Sequence, residues 1–549
     1  MRKVYTILTV MIALFLMIAC SANPNDTQTG SLSVTDSDPI DEPTILRFGA
    51  NAADLKTLDP HMASTTNDRA VADMVFNALV RFEPGNPANL EPDLAVAIPE
   101  PEMVDGQQVW TFELQQGIMC HPGPQTDAYE LTADDVVYSI TRAADTNRSA
   151  YAGTYTGFSA ETIDPYTVQI TVETPTSPSL FLPKVADLSG GFVVCSRAVE
   201  AMGDEAFKTH PVGTGPFVFE EYTPQTSVRL LANPDYFRGR AELDGVDIIY
   251  MPDNSSRELA LRAGELDLIY GQKSDVWVNA LEAEEHLNAD IFNTGAVATI
   301  HFNTKIAPFD DPRVRQAVAY ALNREAFGDL FGPTIAFNIL SPIPSDFISG
   351  GIPDPVVEEM GLAYHFDLEQ AKALLAEAGY GDGFELEVVT SEMEAYRKIY
   401  EGIQGQLTDV GIDLKVNMVD HSTMHSLIRQ DANPLTVYFA LGATPDIILT
   451  RYHHSASTVV TGEKPDANFS HYDQIDHLIE DARSETDPAA QFQLWQDAQV
   501  QILEDASSYP LFIMAQVYGR SANLDYGHEL LGSMSFYPQI TEKTRLVNQ

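Results

Sequence analysis

The chain has 549 residues, a formal net charge of −47 at neutral pH, 44% apolar residues, and 26 Phe and 22 Tyr. That length exceeds what one hydrophobic core supports, so two or three lobes are expected, and the apolar content excludes a wholly disordered chain. The acidic balance repels phosphate backbones and anionic headgroups, which removes nucleic acid as a partner; the excess acid reads as a solubilising surface, with a cationic ligand as the sharper alternative.

In chain order, Arg2-Lys3, an apolar run from Ile7 to Ala19 and then Cys20 are the parts of a secretory signal. The run is too short to span a bilayer core, and no later run of eighteen apolar residues suggests a second membrane segment. Met17-Ile18-Ala19-Cys20 resembles a bacterial lipobox, which implies a signal peptide over 1–19, cleavage before Cys20 and diacylation of its thiol. Residues 20–43 are then a flexible tether, too polar to fold, reaching roughly 26 Å.

Beyond the tether, Thr44 to Ala50 reads as a strand and Asn67 to Val80 as a helix with Ala70, Met74, Asn77 and Ala78 on one side. Val109 to Leu114 and Val168 to Val172 alternate as strands, and Thr132 with Asp135 makes an acidic capping box before a helix. A second capping box is read at Ser255-Ser256-Arg257-Glu258, with Gly264 ending that helix. Asp311-Pro312 supplies an N-cap and an N1 proline to a helix carrying Val314, Ala317, Val318 and Ala321, and Asp367 to Gly379 repeats the scheme. Phe384, Leu386 and Val388 alternate, a helix follows from about Met393 to Val410, and Ile412, Leu414 and Val416 alternate again: a parallel strand pair with a helical crossover, hence an α/β lobe. With Cys20 taken by the lipobox, Cys120 and Cys195 are an even pair in an oxidising compartment, read as a disulfide against two isolated buried thiols.

Several blocks in order resemble the family 5 extracellular solute-binding proteins. They are Thr57-Leu58-Asp59-Pro60-His61, Glu91-Pro92-Asp93-Leu94-Ala95, Leu131-Thr132-Ala133-Asp134-Asp135, Val212-Gly213-Thr214-Gly215-Pro216-Phe217, Asn233-Pro234-Asp235-Tyr236-Phe237 and Phe309-Asp310-Asp311-Pro312-Arg313-Val314-Arg315. In themselves Gly213 and Gly215 permit a tight turn, and Arg313 and Arg315 read as ion pairs locking a helix start. The resemblance implies a class II periplasmic-binding-protein fold of α/β type, two main lobes closing on a cleft plus a smaller domain. Domain I would be built from 44–75, 211–297 and 508–549, domain II from 76–210 and domain III from 298–507.

For the ligand site the resemblance implies Thr65, Asn67, Asn303, Tyr438, Phe439, Gly442, Asp446 and Tyr452. In peptide-binding relatives a domain III loop places a carboxylate against the peptide amino terminus; here that anchor falls on Leu441 or Gly442, and Asp446 either substitutes for it or caps the next helix. Arg451-Tyr452-His453-His454 reads either as an anion, sugar or metal-chelate contact or as a solvated helix end. His421 and His425 have the spacing of a helical metal pair but no third ligand, so no metal and no cofactor is expected.

The implied function is capture of a small solute, an oligopeptide before an oligosaccharide or other polar metabolite, and its delivery to the permease subunits of an ABC importer by a lipid-anchored monomer. A ligand sensor for a signalling receptor uses the same fold. An enzyme is the reading from another class, but the chain has no G-x-S-x-G, H-E-x-x-H, phosphate loop or G-x-G-x-x-G.

Overall fold

The computed structural model describes residues 43–547, so the expected signal peptide, Cys20 and all of the tether except Pro43 lie outside the described residues. Ile45–Ala50 pairs in parallel with Gly245–Tyr250 and with Leu268–Tyr270. A strand with neighbours on both edges buries successive side chains, and Phe48, Gly49 and Ala50 are all buried. These are central members of a seven-stranded mixed sheet completed by Phe217–Thr223, Ser227–Ala232, Gln516–Ser521 and Leu287–Phe292. Asn254–Arg262 follows one of the central strands. Its N-cap is Asp253, whose carboxylate accepts the Ser256 N–H at 2.8 Å, two residues before the expected capping box, and Gly264 at φ +72° ends it.

The helix expected to reach Val80 spans Thr66–Val75. Phe76 is extended, and Asn77–Ala78 and Val80–Glu83 are short strands. The helix is stopped from outside: the Gly215 N–H donates to the Val75 carbonyl at 2.8 Å. A Cβ at Gly213 would stand 2.1 Å from that carbonyl oxygen, and one at Gly215 would stand 2.6 Å from the Met74 oxygen, so only glycine lets this turn reach the helix end. Asn77 donates to both oxygens of buried Asp93 at 3.0 and 3.1 Å and accepts from the Thr214 hydroxyl at 3.0 Å. Arg238 pairs with Asp93 at 2.6 Å, and His121 Nε2 lies 3.0 Å from the Gly215 carbonyl. The sequence blocks around 93, 121, 213 and 233 thus meet at one buried junction.

Glu102–Val104, Gln107–Glu113, Thr167–Val172 and Phe158–Asp164 form a four-stranded antiparallel sheet, with Trp110 stacked on Phe181 at 4.2 Å. Helix Ala133–Ala143 packs on it, and Asp135 accepts the Thr132 N–H at 3.0 Å as the acidic cap anticipates. Its Arg142 forms an ion pair of 2.5 Å with Asp59, both side chains 1% exposed, tying the Thr57–His61 block to this part of the chain. Removing Arg142 leaves the buried Asp59 carboxylate without its cation, whereas Arg142 has a second partner in Asp204 at 3.1 Å.

A second four-stranded sheet has the order Ala336–Asn338, Ser508–Met514, Val297–Phe302, Leu435–Ala440. Ser508–Met514 therefore lies here rather than in the seven-stranded sheet, and the chain changes sheets at Ala515, not between 507 and 508 as the sequence suggests. Phe384–Ser391 and Ile412–Val419 pair in parallel over their full length, joined by Glu394–Thr408. Asp311 caps Pro312–Ala321 and pairs with Arg313 at 2.5 Å, but Arg315 makes no ion pair: it donates to the carbonyls of Phe309 and Asp505 at 2.7 and 2.9 Å. Among the described residues no helix is long and apolar enough to cross a membrane.

Cys120 and Cys195 form a disulfide closing a sequence separation of 75. A loop of that length restricts the unfolded chain by about 4 kcal/mol in the chain-entropy account. Replacing both cysteines by alanine is expected to lower the unfolding free energy by about that amount in a denaturant titration, and an unchanged midpoint and slope would contradict the assignment.

Candidate functional site

The chain crosses between the seven-stranded and the second four-stranded sheet twice, through 293–296 and through Ala515, and the crossings run side by side: Phe292 pairs with Gln516, Val297 with Ile513, and the Met514 N–H donates to the Ala296 carbonyl at 3.2 Å. Strand register then defines which edges face each other. In the seven-stranded sheet the edge next to the crossings carries Ala50, Tyr270 and Phe292, the carboxyl ends of three strands. In the other sheet it carries Tyr438 to Ala440, opposite Thr299 to Val297. Crevices outside strand carboxyl ends are where open α/β sheets take ligands.

On the first edge a cavity of about 470 Å³ is lined by Asn51, Ser64, Thr65, Thr66, Asn67, Tyr270, Gln516 and Phe536. Thr65 caps the helix that starts there, its hydroxyl accepting the Asp68 N–H at 3.2 Å, and Asn67 donates to Asn51 at 3.3 Å. Burial pushes the Tyr270 hydroxyl up to about 12, so it remains a neutral donor at physiological pH. Amides, hydroxyls and the free N–H groups of a helix start suit a polar solute, and an anion in particular.

The second edge differs from expectation. Tyr438 and Phe439 are partly exposed. Tyr452 is fully buried and braces the following turn, its hydroxyl accepting the Leu441 N–H at 3.2 Å. Gly442 packs so closely on the next helix that a Cβ would meet Ile447 at 2.8 Å. Asp446 is neither free nor the cap: Arg483 donates to it at 2.7 Å, and Thr444 caps the helix through the Ile447 N–H at 3.3 Å. Asn303 lies beyond the far end of its strand, four residues past Thr299 and so roughly 14 Å along it, where it donates to Asp431 at 3.1 Å. The structure thus brings Thr65 and Asn67 together, places Tyr438 and Phe439 on the facing edge, and leaves Asn303, Asp446 and Tyr452 in packing roles.

Arg451 pairs with Asp466 at 2.9 Å, while Tyr452, His453 and His454 are buried. His453 lies 5.8 Å from His301, whose two ring nitrogens have no partner among the described residues. Burial lowers His301 to about 3.

A feature not anticipated from the sequence sits beside Tyr438. One face of helix His421–Ile428 and its C-cap carries His421, His425 and Arg429, one per turn. Arg429 Nη2 donates to the Tyr438 hydroxyl at 3.1 Å and Nη1 lies 3.1 Å from His425 Nδ1; His425 Nε2 lies 3.1 Å from His421 Nε2, and His421 Nδ1 lies 3.0 Å from Ser391 Oγ. A guanidinium only donates, so His425 Nδ1 accepts, His425 Nε2–H donates to His421 Nε2, and His421 Nδ1–H donates to serine. Burial, His421 and Arg429 together lower His425 to about 4, in keeping with its accepting role. A metal on His425 Nε2 would require a proton on Nδ1, facing a group that cannot accept it; no metal site is built here. The H-x3-H-x3-R spacing was the available sequence signal.

Residues 89–452 match the model of the bacterial extracellular solute-binding proteins, family 5 Middle. Heme-binding protein A of Haemophilus influenzae is 28% identical, over 93% of this chain and 94% of its own, and di/tripeptide-binding protein 2 of Pseudomonas aeruginosa is 29% identical over 78% and 82%. Among solved structures, the binding protein MoaA of A. tumefaciens R10 in complex with mannopinic acid is 35% identical with a TM-score of 0.76, covering 92% of this chain and 100% of that one. DppA of Helicobacter pylori in complex with the peptide STSA is 25% identical with a TM-score of 0.72, covering 92% and 99%.

Because His301 titrates near 6.5 when unfolded and near 3 when folded, the unfolded chain binds the extra proton and stability falls as pH drops below about 6.5. At pH 5 this one group accounts for about 2 kcal/mol. His301→Phe is expected to keep the pH 7 melting temperature within a few degrees of wild type and to lose less of it between pH 7 and 5. An identical pH profile in the variant would contradict the buried neutral imidazole.

Proposed function

The chain belongs to the family 5 bacterial extracellular solute-binding proteins, and from that premise we propose that it is the capturing subunit of an ABC importer, holding a short peptide or peptide-like acid between Asn51, Thr65, Asn67, Tyr270 and Gln516 on one edge and Tyr438 and Phe439 on the other. Its role is solute binding, and the family is extracytoplasmic. The observation that carries the ligand reading is the polar cavity at the strand carboxyl ends, beside the two crossings. Relatives named for dipeptides, di/tripeptides and glutathione support the peptide class. Closure about the crossings would trap the solute, and the permease would read the closed shape. Diacylation of Cys20 would keep the receptor at the membrane while the tether lets it reach the permease.

A second reading, an amino-acid conjugate without a free ammonium, is favoured by one observation: along 438–446 the sole carboxylate, Asp446, is already held by Arg483. The solved relative that holds mannopinic acid is consistent with it.

Mass spectrometry of solute released by denaturing the purified protein is expected to yield such an acid. In a thermal-shift panel, trialanine, tetra-alanine or mannopinic acid should raise the melting temperature, since a ligand at a hundredfold its Kd adds about 2.7 kcal/mol. A shift with xylo-oligosaccharides alone would contradict both readings.

A further inference from the structure

Within the second lobe the other arginines near the facing edge are paired with acids: Arg451 is matched by Asp466 and Arg483 by Asp446. Arg429 is different: among the described residues it meets a tyrosine hydroxyl, a histidine nitrogen and its own helix's His425 carbonyl, and no carboxylate. Its Nε–H has no acceptor among them. Arg315 also lacks a carboxylate, but carbonyls take its Nε, Nη1 and Nη2, whereas Arg429 keeps an unmatched Nε–H.

The surroundings orient this cation without neutralising it. Tyr438 accepts from Nη2, and the guanidinium lies 5.7 Å from the centre of the Tyr438 ring. His425 accepts from Nη1, because a guanidinium can only donate, and that fixes the direction of the two hydrogen bonds that follow, to His421 and from His421 to Ser391. Four side chains from three separate elements therefore hold one guanidinium in place beside the aromatic pair on the facing edge. A fixed, partly desolvated arginine with an open donor matches a carboxylate better than any neutral group, because two N–H groups can meet its two oxygens.

We propose that Arg429 is the carboxylate anchor of this receptor, positioned by His425, His421 and Tyr438, so that the receptor recognises its solute by an acid group in place of the ammonium capture that the 438–446 turn does not support. The inference rests on the solute-binding reading above and narrows it: the acid end is required and the amino end is not. Arg429 is the contacting residue; the histidines and Tyr438 are positioning residues.

The test is isothermal titration of the full chain with trialanine, N-acetyl-trialanine, trialanine amide and mannopinic acid. N-acetylation is expected to leave affinity within about threefold, while amidation weakens it by about 30-fold, the scale of hydrogen bonds to a charged group. In Arg429→Gln the acids should weaken by a similar factor and the preference for acid over amide should vanish. Arg429→Lys, which keeps the charge but not the fork, should retain part of that preference, and melting temperatures near wild type confirm that both variants are folded. A merely structural arginine would lower stability without changing the acid-to-amide ratio, so an unchanged ratio in Arg429→Gln overturns the anchor alone. Binding that requires the free ammonium also overturns it. If none of the four compounds binds the wild-type chain, the ligand reading fails and the anchor falls with it.

Discussion

Two chain crossings constrain everything functional in this molecule. Beside the crossing at Ala515 the Met514 N–H donates to the Ala296 carbonyl, and strand pairing resumes at Phe292 with Gln516 on one side and Val297 with Ile513 on the other. A two-stranded connector of this kind permits bending but resists sliding, so the facing edges are set by register rather than by loop geometry. Gly295, at φ +69°, supplies the one backbone conformation in that connector which a side chain would disfavour. Apart from the crossings, Ser177 and Ser179 donate to Gln491 at 2.6 and 2.7 Å, and Leu180 is buried in the cluster around Trp495.

The sequence blocks that carry the family resemblance meet in buried polar contacts. Asp93, Asn77, Thr214 and Arg238 satisfy one another at a junction that no side chain larger than glycine could enter at 213 or 215, and the buried Asp59 carboxylate is neutralised by Arg142, which also reaches Asp204. Such groups tolerate no partial replacement, which is a physical reason for a recognisable pattern in a scaffold. The facing edges carry the rings of Tyr270, Tyr438 and Phe439 and the amides of Asn51, Asn67 and Gln516, with one guanidinium beside them, none of them fully buried.

That contrast accounts for what was legible in the sequence. Local signals read well: the caps at Asp311 and Asp367, the glycine stop at 264, and the strand, helix and strand from Phe384 to Val419 all depend on residues a few positions apart. The failures were non-local. The helix read to Val80 is stopped at Val75 by Gly215, 140 residues away. Asp446 is taken by Arg483, and Asn303 is carried to the wrong end of its strand by a register that only pairing reveals. His421 and His425 were visible as a spaced pair, but their meaning lay in Arg429 and in Tyr438 on another element.

On the proposed function, the two lobes bend about the paired crossings to enclose an acid. Small-angle X-ray scattering of the full chain with and without saturating solute, the compound identified by release from the purified protein, tests it most directly. The account predicts a smaller radius of gyration in the bound state, with the change absent in a chain whose solute does not bind. An unchanged radius of gyration at proven saturation would contradict closure about the crossings.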